Sequence, residues 1–383
     1  MATAHLQLSE QRQRQNPETD SDCLKKVGPF TFRSLLSPNK NDRGYIVMNA
    51  LPRMTAPLLL SSLLCASTLA NQASAQDCAA PLLPEIKAVP ILHLNPADPN
   101  QTVVGRLKFR GAIHLQHEAP KFGAYSGLHI TQDGQTLTAV GDGDWVQATL
   151  DYNAAGNLAG FEVNCVGVLK DEIGKEFEWW EDRDAESLSF NGEEFLVGFE
   201  SNLRVLAYKD IGGAARNIPL PQEFEDGVPT GAGYSSIESS GPNNYIIITE
   251  NARNEDDQIK SYVHQPSGSG TFWLQLEGEE FHLPVGLTTM PDGNLLLAEL
   301  AVHTDEEGVR AYRRLRISII DRVSVVPGAV IKPMTIAEID PPLIYEKYES
   351  IDTRLGPNGE TLIYIMADDG KMRAENTMVR MFE

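Results

Sequence analysis

Acidic residues recur in register along this chain of 383 residues. Asp142 and Asp144, Glu186 with Glu200, Glu250, Glu299, and Glu349 with Asp368 and Asp369 each stand at the start or the end of a paired apolar run. Carboxylates gathered at such ends repel one another, and one of their pKa values rises unless a cation neutralises them. Hard oxygen donors favour Ca²⁺ or Mg²⁺. The predicted metal ligands are therefore Asp142, Asp144, Glu200, Glu250, Glu299, Glu349, Asp368 and Asp369, with Ca²⁺ as the expected ion. Basic residues follow the acids closely: Glu200 then Arg204, Glu250 then Arg253, Glu299 then His303, Asp368 then Lys371 and Arg373. A mouth carrying both signs can hold a metal and an anionic oxyacid together, the metal bridging phosphate oxygens while arginine donates paired hydrogen bonds. The chemistry this predicts is hydrolysis of an ester or phosphoester by metal-activated water, with Glu186, Glu200 and Asp368 as catalytic carboxylates and Arg204, Arg253 and Arg373 holding the substrate's anion. The plainer expectation is that these acids are solvated turn residues and that the neighbouring opposite charges form minor ion pairs within each unit.

The elements that must position these groups are hairpins. Five segments repeat one pattern, an apolar strand start, a turn, a second apolar strand and an acid: SGLHITQDGQTLTAVGDGD from Ser126, ESLSFNGEEFLVGFE from Glu186, SSIESSGPNNYIIITE from Ser235, VGLTTMPDGNLLLAE from Val285 and ESIDTRLGPNGETLIYIMADD from Glu349. Their aliphatic anchors Leu128, Leu188, Ile237, Leu287 and Ile351 are spaced 60, 49, 50 and 64 residues apart. The pairs Asp133-Gly134, Asn191-Gly192, Asp292-Gly293 and Asn358-Gly359 suit the positive φ of tight hairpin turns. Periods near 50 predict an all-β propeller of radially arranged sheets. Six blades follow from length divided by period, and five from the visible hairpins, with Ile91 to His117 adding strands that close the ring beside the last blade. In an antiparallel hairpin the first strand's start and the second's end share one edge, which would gather the acids at one mouth. Long inserts are expected at Leu169–Asp184, which contains Trp179 and Trp180, and at Ala301–Arg316.

Other chemistry finds little support. Gly123-Ala124-Tyr125-Ser126-Gly127 has the wrong spacing for a nucleophile elbow, and no helix is expected after it. His114 and His117 lie three apart on an expected strand and so point to opposite faces. Phosphate-binding loops, dinucleotide fingerprints and EF-hand loops do not occur in the sequence.

Residues 1–47 are polar and patternless and are expected to have no structural role. Residues 48–75 carry Arg53, the apolar run APLLLSSLLCASTLA and Ala73-Ser74-Ala75, the three zones of a secretory signal cleaved near Ala75. The expected mature chain, 76–383, is one β domain delivered to the periplasm or secreted, with no membrane span and as a monomer. It keeps 24 basic and 48 acidic residues, a field that repels nucleic acid. Of the four cysteines only Cys78 and Cys165 lie in it, and an even pair in an exported protein predicts a disulfide.

The stretches FGAYSGLHITQDGQTLTAVGDGD, DAESLSFNGEEFLVGFES and YESIDTRLGPNGETLIYIMADDGKMRAENTMVRMF together resemble the phytase-like esterase family of exported bacterial proteins. The resemblance spans about Val104 to Glu383 and implies esterase-like activity related to phytases. Ser187 and Ser350 replace the family's usual Gly after Glu, and Ser235 and Val285 stand where an acid is expected. Those departures keep open a non-catalytic propeller that binds a cation, glycan or protein partner through the same mouth, and a lactonase-like enzyme in which the metal polarises a carbonyl.

Overall fold

The computed structural model describes residues 85–117, 122–278, 281–304, 310–368 and 377–383. The expected N-terminal extension (1–47), the signal segment (48–75), Cys78, Asp369, Lys371 and Arg373 lie outside the described residues.

Three strands come first: β1 (Ile86–Ile91), β2 (Val103–Val104) and β3 (Leu107–His117). Blade one is β4 (Gly127–Ile130), β5 (Thr136–Gly141), β6 (Asp144–Tyr152) and β7 (Leu158–Val168). Blade two is β8 (Ala185–Phe190), β9 (Phe195–Phe199), β10 (Val205–Tyr208) and β11 (Arg216–Ile218). Blade three follows with β12 (Ser236–Gly241), β13 (Asn244–Arg253), β14 (Ile259–Gln265) and β15 (Gly268–Leu274). Blade four contains β16 (Phe281–Thr289), β17 (Leu295–Thr304), β18 (Arg310–Ile320) and, after β19 (Val330–Ile331) crosses to blade three, β20 (Met334–Ile339). Blade five is β21 (Tyr348–Leu355), β22 (Thr361–Ala367) and β23 (Thr377–Phe382), completed by β3 and β1.

The inner strands touch in a closed circuit, β4 to β8, β12, β16, β21 and back to β4. The result is a five-bladed propeller, the smaller of the two counts the repeat allowed. Length divided by period overshoots because the early strands β1 and β3 join the last blade, with Ile113 opposite Val379, and so add residues without adding a blade. That pairing fastens the early strands β1 and β3 to the outer side of the last blade.

The repeat's turns take the conformation their sequence suggests: Gly134, Gly192, Gly293 and Gly359 all have φ between 75° and 93°. The expected insert at Ala301–Arg316 is instead mostly strand, since the β17–β18 ladder runs to Thr304 opposite Arg310. The insert at Leu169–Asp184 does lack long strands and ends in one 3₁₀ turn at Trp180–Asp182.

Five apolar clusters hold the ring, and each joins two neighbouring blades. Blades one and two share Val140, Trp145, Val197 and Phe199; blades two and three share Leu196, Val205, Tyr234 and Ile237. Ile246, Ile248, Leu287 and Leu297 join three to four, Leu283, Leu300, Ile351 and Ile363 join four to five, and Leu128, Ile130, Leu362 and Tyr364 close five to one. Each buried aliphatic or aromatic side chain contributes about 1.5–3 kcal/mol, so blade order is fixed by interfaces as much as by sheets.

Candidate metal centre

The inner strands carry a shared irregularity at the acidic mouth. In blade two Ala185 pairs with Phe199 and Ser187 with Gly198, so Glu186 is the extra residue of a β-bulge. In blade five Tyr348 pairs with Ala367 and Ser350 with Met366, which makes Glu349 the extra residue there. Blade four bulges at the same place, between Pro284 and Gly286, but its residue is Val285. A bulge leaves one residue outside the ladder and re-aims its side chain. Here the re-aimed positions are the ones the sequence fills with acids in blades two and five.

Glu186, Asp184 and Glu200 each place a carboxylate oxygen within 4.8 Å of the others. Asp184 sits where the tryptophan-bearing insert enters β8; its carbonyl accepts the Glu200 amide at 2.9 Å, and its Oδ2 accepts the Ser201 hydroxyl. Glu200 follows the last residue of β9 and lies against Gly233, where an added Cβ would come within 3.0 Å of its Cγ. Beside this group, Lys347 Nζ bridges Glu349 Oε1 at 2.6 Å and Asp368 Oδ2 at 3.0 Å. Ser126 donates to Glu349 Oε2 at 3.3 Å, so its hydroxyl braces an acid and is not poised as a nucleophile.

Burial pushes the Glu186 carboxyl well above the usual range, and the charges of Glu349, Glu200, Asp184 and Asp368 add to it. Burial likewise raises Glu349, with Asp368 adding and Lys347 opposing. Lys347 offsets two of these five carboxylates, Glu349 and Asp368. The three oxygens of Asp184, Glu186 and Glu200 form a hard donor set that could hold a divalent ion.

The other residues singled out in the sequence are placed as follows. Asp142 occupies the two-residue turn between β5 and β6 with φ 45°, and Asp144 begins β6, 3.8 Å from the Arg183 guanidinium. The Glu250 amide donates to the carbonyls of Ala232 and Gly233. Glu299 is buried within blade four, where Ser318 donates to its Oε1 at 2.8 Å and Arg316 stands 3.8 Å from Oε2; it does not meet the Asp184 group. Arg204 donates to the carbonyls of Asp182 and Asn202 and lies over the rings of Phe199 and Phe177 at 4.0 and 5.0 Å. Arg253 bonds Asn251, Asp257 and the His282 carbonyl and covers Phe281. Both guanidiniums therefore pin backbone. Cys165 is buried on β7; its expected partner Cys78 is outside the described residues. Lys347 carries no signal in the sequence, whereas Arg183 and Asp184 close the tryptophan-bearing insert, a loop whose length suggests either a site or a plain surface loop. The signal for Asp184 was its place two residues before Glu186.

Among the described residues no helix is long and apolar enough to cross a membrane. No curated protein matched the sequence. Similar solved structures include a mannose phosphorylase from Leishmania mexicana (9% identity, 68% of this chain and 82% of that one, TM-score 0.38). A PQQ-bound aldose sugar dehydrogenase from Streptomyces coelicolor is similar at 10% identity over 78% of this chain and all of that one, TM-score 0.37. Likenesses this weak carry no argument about function. The family comparison is of another kind, because one model, described as phytase-like with esterase-like activity of phytase, matches residues 120–370 and takes in all five hairpins, Asp184 and both bulged acids. The chain belongs to the phytase-like family.

Proposed function

We propose that this protein is an exported hydrolase of ester or phosphoester bonds that works with a divalent cation, Ca²⁺ foremost, held by Asp184, Glu186 and Glu200. The observation that carries the reading is the convergence of those three carboxylates, Glu186 from β8, Glu200 from just past the end of β9 and Asp184 from the end of the insert, each with an oxygen within 4.8 Å of the others. Family membership supports hydrolase-like chemistry on a small molecule. Export rests on the signal-like run at 48–75, and the Cys78–Cys165 bridge belongs to the same reading.

A bound cation would polarise the substrate's oxygen and acidify a water. Lys347 holds Glu349 and Asp368 together beside that position, and Glu349, made more basic by burial, is placed to take a proton from the attacking water. Arg204 and Arg253 each hold a backbone carbonyl, and Arg183, partly exposed beside Asp144, is a further candidate with Arg373 for the substrate's anion. The alternative, a non-catalytic cation-binding propeller, draws on the unequal mouth: Ser235 donates to the Pro284 carbonyl and Val285 fills the third bulge, and with Ser126 in blade one three of the five repeat positions lack an acid.

The test is thermal unfolding of residues 76–383 after chelation, titrated with Ca²⁺, together with hydrolysis of chromogenic esters and phosphoesters. A concentration-dependent rise that Glu200→Gln removes, with Ca²⁺-dependent turnover, is the expected result. A rise without turnover on any substrate selects the binding module; no rise rejects the metal reading.

A further inference from the structure

A second polar ring lies further along the inner strands. One residue past each inner-strand anchor stand His129, Ser189, Glu238, Thr288 and Asp352, one from each blade. Three residues of extended chain separate Glu186 from Ser189, roughly 10 Å along the strand. The ring is stitched across blades. Ser189 donates to Glu238 Oε2 at 3.0 Å and the Thr289 amide to Oε1 at 3.1 Å. Asp352 Oδ2 accepts the Ile130 amide at 2.6 Å and lies 3.2 Å from His129 Nδ1. Its Oδ1 accepts Thr288 at 2.9 Å and its own neighbour's amide, Thr353, at 2.7 Å.

These five side chains line a cavity of about 300 Å³ whose walls also include Phe190, Met290 and Pro291. No lysine or arginine pairs with Glu238 or Asp352 among the described residues. Arg354 lines the cavity, yet its guanidinium is held by Tyr364 and the Leu355 carbonyl; Arg322 donates to Asn244, and its charge also acts on Glu238 from outside ion-pair contact. The cavity therefore combines an apolar wall with two carboxylates that, among the described residues, touch no lysine or arginine, Asp352 lying against His129. We propose that it binds a small primary amine, the ammonium seated between Glu238 and Asp352 and its hydrocarbon against Phe190 and Met290. A metal ion is the poorer occupant, because the described residues bring three ligand atoms within coordinating distance only at Asp184, Glu186 and Glu200. Burial, with Asp352 adding, also lifts Glu238 to about 7. An entering cation offsets that cost, since an opposite charge favours the ionised carboxylate.

The site stands further along the inner strands than the proposed metal centre and does not depend on it. Calorimetric titration of residues 76–383 with methyl-, propyl- and n-butylammonium, with n-butanol as the uncharged control, tests it. Affinity is expected to rise with chain length and to be absent for the alcohol. Glu238→Gln, which keeps the acceptor for Thr289, should weaken n-butylammonium binding by about tenfold or more, as loss of a charged hydrogen bond does, while Ca²⁺ still shifts the unfolding midpoint. Equal binding of alcohol and amine, no binding of either, or unaltered binding by Glu238→Gln overturns the proposal. If Glu238→Gln does not fold, the amine and alcohol comparison on the unaltered protein decides alone.

Discussion

Glu186 and Glu349 occupy the same position in two different blades, each as the unpaired residue of a β-bulge, and the Glu349 charge adds to the cost of ionising Glu186. Their placement is thus paid for in stability when no cation is present. Glu186→Gln is expected to raise the unfolding midpoint of the chelated protein by about 2 °C or more, the shift that roughly 1 kcal/mol gives in a domain of this size, and to abolish the Ca²⁺ response. Scanning calorimetry with and without chelator checks both halves. A variant less stable than the parent in chelator would mean that Glu186 is satisfied without a cation.

Lys347 should behave in the opposite way. Its ammonium reaches Glu349 and Asp368 at once from a partly buried position, and removing one partner of a buried charged group leaves the others uncompensated. Lys347→Met is expected to cost on the order of 3 kcal/mol in chelator. Part of that loss should return on adding Ca²⁺, which supplies the positive charge from the neighbouring site. Urea unfolding under both conditions measures it.

Close approach between blades makes Gly127 a sensitive position. A Cβ built there would lie 2.7 Å from both the Cβ and the amide nitrogen of Leu188 in the next blade, and backbone cannot yield as a flexible side chain does. Gly127→Ala is expected to destabilise by about 1–3 kcal/mol, the usual range for overpacking. Gly192→Ala, with open space around its turn position, separates the two causes: any loss there reflects only its φ of 93°. Equal losses in both variants would reject the steric account.

Much of this architecture was legible because turn chemistry and apolar alternation are local. Asp133-Gly134 and its counterparts mark hairpins, and the anchors from Leu128 to Ile351 locate one inner strand per blade. The site was legible only in part. Glu200 and Glu299 look equivalent in sequence, but β9 stops at Phe199 and releases Glu200 to the mouth, whereas β17 continues to Thr304 and keeps Glu299 inside its sheet. Where a strand ends depends on its partner's length, which no local pattern records. Bulges have the same character: nothing in VGL or ESL announces an extra residue. Arginines following acids suggested an anion clamp, yet Arg204 stacks on Phe199 and caps Asp182, contacts set by the insert's path. The far ring of His129, Glu238 and Asp352 escaped notice because its residue types differ from blade to blade.

Arg204 now predicts an indirect effect. It holds the Asp182 carbonyl while stacked between Phe177 and Phe199, two residues from Asp184. Arg204→Met keeps the apolar stem but loses the backbone bond and the cation–π contact. The expected outcome is weaker Ca²⁺ binding, by about tenfold for roughly 1.4 kcal/mol of lost positioning, with little change in the stability of the chelated protein. Calorimetric Ca²⁺ titration checks it, and an unchanged affinity would free Asp184 from any dependence on the insert.

Glu299 gives a pH prediction with a definite sign. Burial lifts its carboxyl to about 7, while Ser318 and Arg316 pull it down. Because the folded protein holds this proton more tightly than the unfolded chain, the contribution is complete below the ordinary glutamate value and is lost as pH rises toward 7. His282, 3.9 Å away, runs the other way: burial and Arg316 lower it to about 4, so its neutral form is lost to protonation as pH falls from the ordinary histidine value toward 4, and stability falls with it. The two trends oppose each other over the same interval in the parent. Glu299→Gln retains an acceptor for Ser318 and removes only the first trend. It is therefore expected to match the parent at pH 4.5 and to exceed it at pH 7.5, values chosen to bracket the carboxyl's shift. Urea midpoints at the two pH values, compared between variant and parent, decide the matter: a difference that does not grow with pH would show that Glu299 is already ionised at pH 4.5 and that Arg316, not a proton, carries its charge.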